Sequence, residues 1–184
     1  MEKILVSISI TLAIIAFILS ISNFQPVKEK IEELFNSTQV FNLFEYKEVE
    51  NIELEEINPN TYKIILYTKC YQIEGYIDSS QANSILKALN RAKSERPLTH
   101  DLFVDTLKEF NIEFLMLKIE DLRNIDTSKA FIGSCIFKKG NKVLLMDCRP
   151  SDGTAIALRL NKPIYIKNSV IEKCLKEECA KKLC

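Results

Sequence analysis

Apolar and polar positions follow different rhythms along this chain, and each rhythm predicts a different element. Residues 4–22 carry no charge and are rich in Ile, Leu, Ala and Phe. From Val49 to Ile57 apolar and charged residues alternate, the period of a half-buried strand, and Asn58-Pro59-Asn60 supplies a turn. Further strands are predicted at Tyr62–Tyr67 and Gln72–Ile77. Asp78-Ser79-Ser80 then offers a cap for a helix reaching about Lys93. A second helix opens near Thr99, with Phe103, Leu107 and Phe110 at i, i+4 and i+7 as its expected buried stripe. Strands follow at 113–120, 130–138 and 142–147, the last two joined by a Gly140-Asn141 hairpin turn. A helix over 151–160, a short strand at 163–166 and a tail helix from Ser169 complete the order. Asn111 and Asn161 stand where the second helix and the 151–160 helix end, and Asn tolerates the left-handed cap conformation.

Runs of strands broken by helices, without regular alternation, predict an α+β domain with a mixed β-sheet, able to curl toward a barrel, and packed helices. One transmembrane helix is expected ahead of it. As a helix, the uncharged segment 4–22 would be roughly 28 Å long, close to the thickness of bilayer hydrocarbon. A cleaved signal peptide fits less well, because Ser20-Ile21-Ser22 is the only small-x-small candidate. The expected layout is an anchor over 1–25, a juxtamembrane amphipathic helix and linker over 26–47, the domain over 48–172, and a Lys- and Cys-rich tail over 173–184. Lys3, Lys28 and Lys30 tilt the positive-inside rule toward a single-pass protein of the cell membrane with its domain in the cytoplasm.

Composition modifies this picture in two ways. Net charge is zero over 184 residues, so a strongly basic nucleic-acid binder is excluded, and any such contact must use a local patch. Six cysteines (70, 135, 148, 174, 179, 184) include no C-x-x-C pair, which argues against a zinc site. Scattered reduced thiols are the expected state, with a disulfide framework as the alternative. The strongly apolar strands make a homo-oligomer an expected partner state.

Two stretches concentrate the polar chemistry: Arg96-Pro97-Leu98-Thr99-His100-Asp101 and Asp147-Cys148-Arg149-Pro150-Ser151-Asp152. Each places Pro, a hydroxyl residue and Asp before an apolar-periodic run, so each opens a helix whose unpaired N–H groups favour anions. Thr99 and Ser151 are expected N-caps. Asp101 and Asp152 suit the positive end of the dipole, and Asp147 ends an apolar strand. Arg149 can pair with Asp101, Asp147 or Asp152 and so tie the helix starts together, without chemistry. His100 is the chain's only histidine, fit either for a structural hydrogen bond or for proton transfer.

With Pro163-Ile164-Tyr165 downstream, these motifs resemble those of the bifunctional nuclease domain family over about Ile73 to Val170, half of the chain. The resemblance implies cleavage of DNA and RNA. Under that reading Asp101, Asp147 and Asp152 are metal or water-positioning groups for Mg²⁺ or Mn²⁺. Arg149 and Arg96 become phosphate clamps, and His100 a proton shuttle. The competing reading is a non-catalytic module that binds nucleic acid or another anion, its polar motifs serving structure or oligomerisation. The chain departs from the family where Gly153-Thr154 replace the usual Ala-Ile, and Gly153 would let a ligand approach the backbone closely.

Overall fold

The computed structural model describes residues 42–92, 95–125 and 128–184. The expected membrane span at 4–22 and the amphipathic helix after it lie outside the described residues. Among the described residues no helix is long and apolar enough to cross a membrane. Residues 43–184 form a compact unit.

That unit holds nine strands and four helices among the described residues. The strands are β1 (Tyr46–Glu48), β2 (Asn51–Asn58), β3 (Thr61–Tyr67), β4 (Tyr71–Asp78), β5 (Glu113–Ile125), β6 (Ser128–Lys139), β7 (Lys142–Cys148), β8 (Ile164–Lys167) and β9 (Ala180–Lys182). The helices are α1 (Ser79–Leu89), α2 (Thr99–Glu109), α3 (Pro150–Leu160) and α4 (Asn168–Lys176). One sheet runs β1-β8-β5-β6-β7 and the other β2-β3-β4-β9. Only the β5–β8 pairing is parallel; the rest are antiparallel. The α+β expectation holds, but neither sheet closes into a barrel.

Hairpins dictate most of this order. The two-residue Gly140-Asn141 turn, with Gly140 at φ 57°, joins β6 to β7 and fixes Lys139 opposite Lys142. Apolar faces of both sheets and the inner sides of the helices share one core, in which Ile73, Ile85, Phe114, Leu117, Ile166 and Val170 are almost fully enclosed. Burying this continuous apolar surface is the main stabilising contribution to the unit. Helix α3 lies against β5 and β6 so closely that a Cβ on Gly153 would sit 2.6 Å from Leu117 Cδ1 and 3.1 Å from Cys135 Sγ. Gly153 is therefore a packing residue, not the ligand approach expected from sequence.

Several local expectations change. Asn111 and Asn161 do adopt left-handed conformations, at φ 53° and 51°. The stripe of α2 is instead Val104 and Leu107, while Phe110 is exposed and half-exposed Phe103 meets Phe137 edge-on at 6.2 Å. Helix α2 lies at the rim of the domain, so its aromatic side is only partly covered. The expected tail folds back, and Ala180–Lys182 pairs with β4.

The cysteines overturn the reduced-thiol expectation. All six are bonded, as Cys70–Cys184, Cys135–Cys148 and Cys174–Cys179. Pairing of Tyr71 with Lys182 brings the C-terminus beside the β3–β4 turn, a juxtaposition across 114 residues that spacing cannot reveal. Cys135 and Cys148 project from one face of neighbouring strands at diagonal positions, 6.0 Å apart at Cα.

Candidate functional site

The two motif-bearing helix starts do come together, through α1 and α3. At the start of α2, Leu98 occupies the cap position with an extended backbone, and the Asp101 carboxylate accepts from its N–H at 2.9 Å. Thr99 is already inside the helix and does not cap it. Asp101 also accepts from Arg159 Nε at 2.6 Å. Arg159, from the last turn of α3, is only 10% exposed, and its Nη1 donates to the carbonyls of Ser84 and Ala155. This guanidinium thus joins α1, α2 and α3. Its hydrogen bond holds the Asp101 carboxyl below the usual range, helped by Leu98 N–H and opposed by partial burial.

At the start of α3 the cap position falls to Arg149, with Pro150 as first helical residue and Ser151 behind it, so Ser151 does not cap either. Proline arriving first explains the shift, since its fixed φ and missing N–H suit that position. Asp152 accepts from Arg149 Nε at 2.9 Å on one oxygen. Its other oxygen lies 3.4 Å from His100 Nε2. On the far side of the ring, His100 Nδ1 is 2.9 Å from Ser84 Oγ. A proton on Nε2 would face this carboxylate, with Nδ1 then accepting from the Ser84 hydroxyl.

Ser84, His100 and Asp152 thus form a line of hydroxyl, imidazole and carboxylate. It resembles a nucleophile triad only in composition. Ser84 is 5% exposed beneath the helix junction and anchors the ring, leaving no room for a polymer substrate to reach its oxygen. The solvent-facing member is Arg149, whose side chain is 71% exposed. Arg149 also lies close enough to Asp78 to help lower its carboxyl, although the Ser80 hydroxyl is the larger cause.

The remaining predicted residues separate from this cluster. Asp147 stands opposite Ser134 in the β6–β7 register, one residue from Cys148, and so points to the other face of the sheet. Arg96 is exposed on the connection into α2. Among the described residues no group of three His, Cys, Asp or Glu side chains is arranged to hold a metal ion. Asp101 is committed to Arg159, Asp152 to Arg149 and His100, and Asp147 faces elsewhere, so the expected three-carboxylate set does not fit a Mg²⁺ or Mn²⁺ centre. Two participants went unrecognised in the sequence, Ser84 and Arg159. Arg159 had a signal, being the one charge in the apolar run Ala155 to Leu160.

An α+β domain of two open sheets thus brings a histidine, a carboxylate and an exposed guanidinium together at one helix start. The family model of the bifunctional nuclease domain matches residues 64–178, and the chain belongs to that family. Membership marks it as a nuclease-like or nucleic-acid-binding domain. It is also similar to uncharacterized proteins of Mycobacterium tuberculosis from two strains, each 34% identical over 96 residues. That match covers 52% of this chain and 54% of each relative, so the chain spans about half the length of the curated relatives it matches.

Proposed function

We propose that the domain binds nucleic-acid phosphodiesters at the start of α3 and hydrolyses them. The carrying observation is the chain His100 Nε2–Asp152–Arg149, in which one carboxylate bridges an anchored imidazole and an exposed guanidinium. A phosphate oxygen arriving at the surface competes with Asp152 for Arg149. Once Arg149 turns to the phosphate, Asp152 Oδ2 is free to take the proton of an attacking water, while His100 Nε2–H holds Oδ1 in place. Arg149 offsets charge on the phosphate as the water oxygen adds and the ester oxygen leaves, which takes a proton from solvent water while Asp152 releases its own to solvent. No step is assigned to a metal.

One observation favours the second reading, a binding module without catalysis. Both ring nitrogens of His100 and both oxygens of Asp152 already have partners within the protein. The two readings separate in an assay of the full chain on labelled DNA and RNA, with Mg²⁺, Mn²⁺ or EDTA. Hydrolysis that disappears in Asp152→Asn and persists in EDTA supports the first reading. Retention of oligonucleotide binding without cleavage supports the module. Loss of cleavage in EDTA alone would restore the metal-assisted scheme.

Residues 4–22 are proposed as a membrane anchor, on length and absence of charge. The pairing of all six cysteines favours the oxidising side of that membrane for the domain, against the cytoplasmic expectation. Thiol labelling in intact and permeabilised cells, before and after reduction, distinguishes the sides. A homo-oligomer is proposed on the exposed Leu144, Leu145 and Met146 of β7, a sheet edge among the described residues, and sedimentation of the full chain tests it.

A further inference from the structure

Behind the start of α3 lies a cavity of about 450 Å³, bounded by the two sheets. Ile64, Leu66 and Ile73 form one wall, and Ile119, Leu122 and Phe131 the other. The ends differ. Ile73 pairs with Ala180 on β9, and Lys129 is bound to Glu177 at 2.9 Å, so the lining residues Glu177 and Glu178 lie toward β9. The opposite end is lined by Arg149, Ser151, Thr154 and Gln81. From Ile73 to Ile77 along β4 the two ends are about 13 Å apart at strand rise.

The α3 end offers hydrogen-bond donors and no lining carboxylate. Gln81 uses its amide oxygen to accept from Asp78 N–H, which turns its NH₂ group to other partners. Arg149 commits only Nε, to Asp152. Thr154 is 1% exposed and Ser151 9%, and neither hydroxyl donates a hydrogen bond to another described residue. A threonine inside a helix ordinarily donates to a carbonyl one turn back, as Thr106 does to Leu102. Thr154 lines the cavity, and no described residue pairs with its hydroxyl.

Apolar walls with donors at the α3 end complement an apolar body whose anionic end lies there. We propose that the cavity binds a medium-chain fatty carboxylate, its alkyl chain between the sheets and its head group on Thr154, Ser151, Gln81 and Arg149. This goes beyond phosphodiester hydrolysis and shares Arg149 with the site proposed for it.

The test is photolabelling of the full chain in detergent micelles with a diazirine-bearing decanoate, followed by peptide mapping. Label is expected on β3, β4 and β6 around Ile64, Ile73 and Phe131. Excess decanoate should remove it and decanol should not. Thr154→Val should reduce labelling about tenfold, and Thr154→Ser should restore it. Label scattered over the chain, equal competition by decanol, or full labelling of Thr154→Val would each overturn the proposal. Oligonucleotide cleavage, read separately on the same wild-type sample, reports on the other site, so failure of one reading is distinguishable from failure of the other.

Discussion

The two helix starts share a sequence pattern and do different work. At α2, Asp101 meets a guanidinium that is almost wholly enclosed and that also donates to a backbone carbonyl of α1 and to one of its own helix α3. At α3, Asp152 meets a guanidinium that is mostly in water, and its other oxygen faces an anchored imidazole. The same Asp–Arg chemistry therefore ties three helices together in one place and presents an exchangeable cation in the other. Burial of the arginine, rather than the motif, separates the two roles. A buried pair cannot release its partner without exposing an uncompensated charge, whereas an exposed pair exchanges at small cost.

The contrast can be broken most forcefully at Arg159. Arg159→Ala should lower the stability of the domain by about 3 kcal/mol, because Asp101 and two carbonyls lose their common donor. Denaturant unfolding with an unchanged slope would register this as a shifted midpoint. His100→Ala should have an intermediate effect of about 1–2 kcal/mol, since it strands the buried Ser84 hydroxyl. Asp152→Asn and Arg149→Ala should each change stability by less than about 1 kcal/mol, as expected for exposed pairs.

Acid sharpens the comparison further. The folded-state carboxyl of Asp101 lies below its unfolded value, so its contribution is present above the ordinary aspartate range and is lost as pH falls through the folded value. Stability should therefore decline on acidification below about pH 4. Asp101→Asn should flatten that decline measurably in unfolding midpoints recorded across the acid range. Asp121 shares this behaviour, held low by Lys173 and then Arg123, so part of the slope will survive the substitution.

Much of the strand order was legible because the hairpins are local: alternation over β2 to β4 and the Gly140-Asn141 turn need no distant partner. Short β1 and β9 were not legible, since three residues carry no periodicity and exist only by pairing with β8 and β4. The caps were misread for a physical reason. Pro150 takes the first helical position and moves the cap to Arg149, and Leu98 caps α2 through the carboxylate of Asp101 in place of its own side chain. Of the expected site residues, the structure brings His100, Asp152 and Arg149 together. Asp147 was misjudged because one step of strand register turns it to the other face. Arg159 was missed because its role depends on three helices meeting.

The central claim is that the start of α3 acts on substrate and the start of α2 holds the fold. The most direct measurement compares oligonucleotide cleavage by Asp152→Asn and Asp101→Asn at a temperature where both remain folded. Asp152→Asn should lose about 100-fold or more in rate while its unfolding midpoint hardly moves, and Asp101→Asn should keep near-normal cleavage with a lower midpoint. Wild-type cleavage by Asp152→Asn, or its loss in folded Asp101→Asn, would contradict the account.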